Sequence, residues 1–106
     1  QKIMSKTEIK KIVRQYVKLL KDNELPVRTA YLFGSYAYGK PHRWSDIDVA
    51  IVINSKKNLW KNSAVYSRIG LAIDRRLETH LFNAQDFKDD SDPMVYEIRK
   101  KGLKIV

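Results

Sequence analysis

Two aspartates, Asp46 and Asp48, open the apolar run SDIDVAIVI at residues 45–53. Apolar strands normally exclude carboxylates, because burying an unpaired charge is costly. Side chains alternate across a strand, so Asp46 and Asp48 share one face while Ile47 and Val49 take the other. They sit where a loop enters the strand, at the rim of a sheet. Two neighbouring carboxylates repel, and the repulsion grows as water is excluded. A shared proton, a basic neighbour or a metal cation would relieve it. Hard oxygen ligands suit Mg²⁺ or Mn²⁺, which keep waters and take further ligands from substrate phosphates. The competing reading is a solvated strand end, salt-bridged to Arg43 or Lys40.

Ten residues separate Asp46 from the preceding pair Gly34-Ser35, in LFGS. A strand runs there into a turn whose second residue is small and hydroxylated. Glycine lets the backbone approach a ligand and adopt torsions that other residues avoid. If Ser35 begins a helical turn, free backbone N–H groups face whatever is bound there. An ordinary strand-to-turn junction would look the same. Taken together, a phosphate cradle on one strand end and paired carboxylates on the next can hold a triphosphate and its metal.

Lesser candidates surround these. Lys40 and Arg43, in the connecting loop, either neutralise a triphosphate or are simply solvated. Tyr36 and Tyr38 either stack on a base or pack and face solvent as aromatics commonly do. His42, beside Pro41, reads as loop, and Trp44 and Trp60 read as core.

The elements that must carry these residues are legible. Ser5 and Glu8 form an S-x-x-E capping box. Ile9, Ile12, Val13, Tyr16, Val17, Leu19 and Leu20 then recur at helical spacing, which predicts a helix over about 7–23. Pro26 ends it. Residues 27–33 read as a strand, residues 36–44 as one helical turn and a loop, and residues 46–53 as the strongest strand. A turn is expected over 54–58. Helix returns over about 59–74, with Trp60, Ala64, Ile69, Ala72 and Ile73 as buried positions. Residues 75–82 alternate as a strand. Asp92 and Pro93 open a helix that stops at Gly102, and LKIV can add an edge strand. The order α-β-(short α)-β-α-β-α-β predicts an α+β fold, a small mixed sheet with helices mainly on one face.

Composition bounds the rest. A chain of 106 residues fits one domain, 1–106, and buries about two thirds of its unfolded surface. It is 43% hydrophobic and 31% charged, as ordinary globular chains are. There is no cysteine, which excludes disulfides, thiol catalysis and Cys-ligated metal. No apolar run approaches the about 18 residues of a membrane span, and no signal-peptide core follows the basic N-terminus. A cytoplasmic location is the default expectation. The net charge of +9 either favours polyanionic partners or merely solvates the surface.

G-S, ten residues, then D-I-D between apolar strands resembles the signature of the DNA polymerase β-like nucleotidyltransferase superfamily. Within it, the chain resembles the minimal nucleotidyltransferases. The likeness extends from the leading helix to the closing YEIRKKGLKIV and is sharpest over residues 33–52. It implies a palm-like mixed sheet bearing three acids. Asp46 and Asp48 match the first two. Glu78, in LETHL, is the best match for the third, though glutamate replaces the commoner aspartate and Thr79 replaces an apolar flank; Asp74 is the rival. His80 shares the Glu78 face by alternation, as a partner of the acids or a plain polar residue at a strand end. The resemblance further implies two divalent ions on Asp46, Asp48 and Glu78, ATP as donor and pyrophosphate as leaving group. Gly34 and Ser35 would hold the β,γ-phosphates. Small members of this kind often pair with a HEPN-type toxin, as the antitoxin that attaches AMP to one of its tyrosines. The short chain suggests that another chain completes the acceptor site. The alternative is a catalytically weak module that grips a partner or RNA by its basic surface.

Overall fold

The computed structural model describes residues 3–54 and 59–106. Helix α1, Lys6–Asp22, starts on the expected capping box: Ser5 Oγ accepts from the Glu8 amide at 3.2 Å, and Glu8 Oε1 accepts from the Ser5 amide at 3.3 Å. Its apolar stripe, Ile9, Val13, Tyr16, Val17 and Leu20, is buried. Asn23 closes it by donating from its side chain to the Leu19 carbonyl, and Glu24 turns the chain away at φ 59°.

Strand β1, Thr29–Phe33, runs into a single 3-10 turn, Gly34–Tyr36. Strand β2, Ile47–Ile53, returns antiparallel to it. Helix α2, Leu59–Ile73, then crosses over to β3, Leu77–Asn83, which lies parallel to β2. A second 3-10 turn, Asp86–Lys88, leads to helix α3, Pro93–Lys101, and to β4, Leu103–Lys104, antiparallel to β1. The sheet order is β3-β2-β1-β4. β2 lies inside the sheet and is covered on both faces beyond Asp48, so from Val49 to Ile53 its sequence is a continuous apolar run rather than an alternating one.

The two faces have separate cores. Ile47, Val49, Ile51, Ile53, Leu77, Ala30 and Leu32 pack beneath α1 and α2. Phe33, Ala50 and Val52 pack with Phe87 and with Val95 and Ile98 of α3. Within the first core, the Tyr16 hydroxyl donates to the Tyr66 carbonyl at 2.7 Å and lies 2.8 Å from Thr79 Oγ1. Burial pushes the Tyr16 phenol up to about 12. Thr79, a polar residue between Leu77 and Leu81 on the helix-covered face of β3, thus has a buried polar partner.

The mixed sheet with two helices on one face and one on the other matches expectation. Several details differ. Residues 27, 28, 46, 75 and 76 lie outside the strands expected to include them; at the start of β3 the Leu77 amide donates to the Asp74 carbonyl in a turn at 3.1 Å. Ala64 and Ala72 are exposed rather than buried. The inward stripe of α2 instead runs through Tyr66 and Gly70, with Ile69 and Ile73 half-buried. Gly70 lies so close to Tyr16 that a Cβ there would sit 3.2 Å from the ring carbon Cζ. Trp44 is 67% exposed, not core. Its amide donates to His42 Nδ1 at 3.2 Å, which turns the loop outward and leaves the indole beneath the Arg43 guanidinium, 5.4 Å from the ring centroid. The turn over 54–58 and the Trp60 side chain lie outside the described residues, apart from Asn54. No helix among the described residues is long and apolar enough to cross a membrane.

Candidate active site

The C-terminal end of β1 and the N-terminal ends of β2 and β3 meet at one rim of the sheet. Phe33 pairs with Asp48 across β1 and β2, and Asp48 pairs with Glu78 across β2 and β3. The register therefore sets Asp48 and Glu78 side by side on one face, with His80 two residues further along β3. Helix α3 covers the deeper part of this face and leaves the rim open: the Asp48 side chain is 24% exposed and the Glu78 side chain 52%.

Asp48, Glu78 and His80 each offer one ligand atom, all within 4.8 Å of one another. His80 Nε2 stands 3.6 Å from Asp48 Oδ1 and 3.7 Å from Glu78 Oε1. Asp46 precedes the strand, is exposed and reaches the same group. A hydrogen bond between the Asp46 and Glu78 carboxyls is the main cause of a raised pKa at Glu78, with burial and the Asp48 charge adding to it and His80 opposing. Carboxyl groups that share a proton in this way also make a concentrated oxygen site for a hard cation. The donor set thus fits a divalent ion.

Gly34 fits against this group. It has φ 75°, a region that L side chains avoid, and a Cβ built on it would run into the Asp48 carboxylate. The turn it begins is held by its own carbonyl, which accepts from the Ala37 and Tyr38 amides at 3.0 and 3.1 Å. The amides that open such a turn have no partner within it. Beside the turn lies a cleft of about 530 Å³, lined by Phe33, Gly34, Ser35, Tyr38, Met94 and Glu97 among others. The phenol of Tyr38 is held above its usual value, first by burial and further by the Glu97 and Asp48 carboxylates.

The two rivals for the third acid lie in different surroundings. Asp74 lies on the turn before β3 and accepts from Arg76 three times, at 2.8 Å from the amide, 3.1 Å from Nε and 2.9 Å from Nη2. The Arg76 side chain holds its carboxyl below the usual range. Glu78, by contrast, adjoins Asp48. Tyr36 is buried, which leaves Tyr38 as the tyrosine of the cleft. Ser35 lines the cleft, and Lys40 and Arg43 lie on the exposed loop that leads to Asp46. Among the described residues no ion pair joins either cation to Asp46 or Asp48, so a plain salt-bridged strand end is not what the structure shows. Met94 and Glu97 escaped sequence reasoning, because only the packing of α3 on β1 brings them to Gly34.

The mixed sheet, with Asp48 and Glu78 side by side on parallel strands next to Gly34, is the arrangement expected of a nucleotidyltransferase. The sequence profile "Polymerase beta, Nucleotidyltransferase" matches residues 6–106, and the chain belongs to that family. A protein adenylyltransferase MntA of Shewanella oneidensis is 53% identical over 36 residues, 34% of this chain and 26% of that protein. A Methanocaldococcus jannaschii protein, provisionally named as a protein adenylyltransferase, is 31% identical over 98 residues, 85% of this chain and 95% of that one. A crystal structure described as a toxin–antitoxin with AMP-PNP superposes with a TM-score of 0.63 at 26% identity, covering 88% of this chain and 71% of its own.

Proposed function

We propose that this chain transfers AMP from ATP to a tyrosine hydroxyl of a HEPN-type toxin and so acts as its antitoxin, in the cytoplasm. The side-by-side placement of Asp48 and Glu78, next to the side-chain-free Gly34, carries this reading. The relatives named for protein adenylylation, and the similarity to a toxin–antitoxin structure with an ATP analogue, support the donor and the acceptor class.

Asp46, Asp48 and Glu78 would hold two divalent ions, Mg²⁺ or Mn²⁺. When bound, such ions offset charge on the attacking and leaving oxygens. The Gly34-Ser35 turn admits the β,γ-phosphates close to the backbone, and the Ser35 hydroxyl adds a donor. Lys40 and Arg43 add positive potential at the mouth. The tyrosine oxygen bonds to the α-phosphorus, the bond from that phosphorus to the β-phosphate breaks, and pyrophosphate departs. Glu78 would also accept the hydroxyl proton. Alignment and charge stabilisation supply most of the acceleration.

Incubation with Mg²⁺, α-labelled ATP and a HEPN-type partner tests the proposal. Label should move to a partner tyrosine and vanish with Asp48→Asn. Tight binding of partner or RNA with no Mg–ATP affinity by calorimetry would instead support a non-catalytic module acting through the +9 surface.

A further inference from the structure

A three-carboxylate site uses only oxygen ligands, yet this rim also contains an imidazole. His80 follows Glu78 by two residues on β3, so its ring rises from the same face. The residue across from it in register is Ala50, whose single methyl leaves room for the ring to lean towards Asp48. Phe33 holds the ring from the side, edge to face at 5.1 Å. The outcome is a fixed nitrogen: His80 Nε2 is shielded from water and has no hydrogen-bond partner among the described residues.

A buried polar atom without a partner calls for an explanation. The two nearest candidates are the carboxylate oxygens at 3.6 and 3.7 Å, beyond hydrogen-bonding reach. The same spacing suits three atoms around a common centre. Donors that share one ion at about 2.1 Å lie about 3 to 4.2 Å from each other, according to the angle between them. All three atoms here fall within 4.8 Å.

We propose that His80 Nε2 is a direct ligand of the divalent ion gripped by Asp48 and Glu78, and that this nitrogen makes the site select Mn²⁺ over Mg²⁺. The inference rests on the metal-dependent reading above and adds to it the identity of one ion. Mg²⁺ takes oxygen ligands almost exclusively, whereas imidazole stabilises transition ions. One nitrogen among oxygens therefore lifts Mn²⁺ affinity and leaves Mg²⁺ affinity nearly unchanged.

Pulsed EPR on the unmodified protein with one equivalent of Mn²⁺ reads the bond directly. Nitrogen modulation from an imidazole is expected, and it should change when the protein is grown with ¹⁵N-histidine. Calorimetry with Mn²⁺ alone and Mg²⁺ alone should show Mn²⁺ bound at least about tenfold tighter. His80→Ala should remove that preference and the nitrogen signal, and leave Mg²⁺ binding within about twofold. Mn²⁺ bound without nitrogen modulation, or equal affinity for the two ions, overturns the proposal. If Mg²⁺ still supports transfer of label in that case, the nucleotidyltransferase reading stands and His80 alone is reassigned. Failure to bind either ion, with or without nucleotide, overturns both.

Discussion

The position that a Cβ of residue 34 would take is already filled by the Asp48 carboxylate. Gly34 opens the turn after β1 and Asp48 lies on the neighbouring β2, 14 positions apart, and the acid can stand at the rim only because the glycine has no side chain. Gly34→Ala should therefore push Asp48 out of place and also strain a backbone at φ 75°. The left-handed penalty alone is about 1–2 kcal/mol. Thermal unfolding should fall accordingly, and label transfer should fall about a hundredfold or more, as misplacement at a reacting centre does. Transfer at the parent rate would show that the fit is incidental.

Asp46→Asn and Asp48→Asn separate function from folding. Each removes one charge from a crowded group, so the melting temperature should hold or rise. Transfer of label should fall by about a thousandfold, the scale of losing a charge-stabilising group. A variant that unfolds early would instead mark the acid as structural.

Metal removal offers a simpler readout. EDTA should abolish transfer without unfolding the protein, since the two cores lie away from the rim. Circular dichroism before and after chelation checks the second half of this statement.

Asp74 and Arg76 set a pH dependence unrelated to the site. The Asp74 carboxyl titrates below its ordinary 3.8, chiefly through the hydrogen bond from Arg76. A carboxyl depressed on folding contributes stability that is complete above the unfolded value and is lost as pH falls through the folded one. Asp74→Asn should cost about 1–3 kcal/mol at neutral pH, the scale of a charged hydrogen bond. In urea titrations the gap between variant and parent should close as the pH drops below 3.8.

Tyr16 makes the opposite prediction at high pH. Its phenol, raised to about 12 by burial, contributes stability fully present below pH 10 and lost as pH rises towards the folded value. Tyr16→Phe should cost about 1–3 kcal/mol, because the Tyr66 carbonyl loses its donor. It should also flatten the alkaline loss of stability in denaturant melts between pH 9 and about 12.

Much of this was legible in residue types. The capping box, the apolar stripe of α1 and the Asp92–Pro93 start of α3 act within one turn of chain, and each appears where the sequence predicts it. Asp46 and Asp48 were legible because charge is so unusual at the head of a central strand. The choice between Glu78 and Asp74 was not local. It depends on strand register and on Arg76 occupying the rival. Trp44 misled because burial follows the path of a loop, and bulk alone does not reveal that path. The Met94 and Glu97 side of the cleft depends on how α3 folds back across β1, which no short segment encodes.

Glu78 and His80 belong to a strand at the end of the sheet, held on one side by hydrogen bonds to β2 alone. If β3 paired one step out of line, Thr79 would look out over the rim and the imidazole would turn into the helices. Ion capture would then report on correct assembly: a chain that zipped its last parallel pair wrongly would be inert rather than half-active.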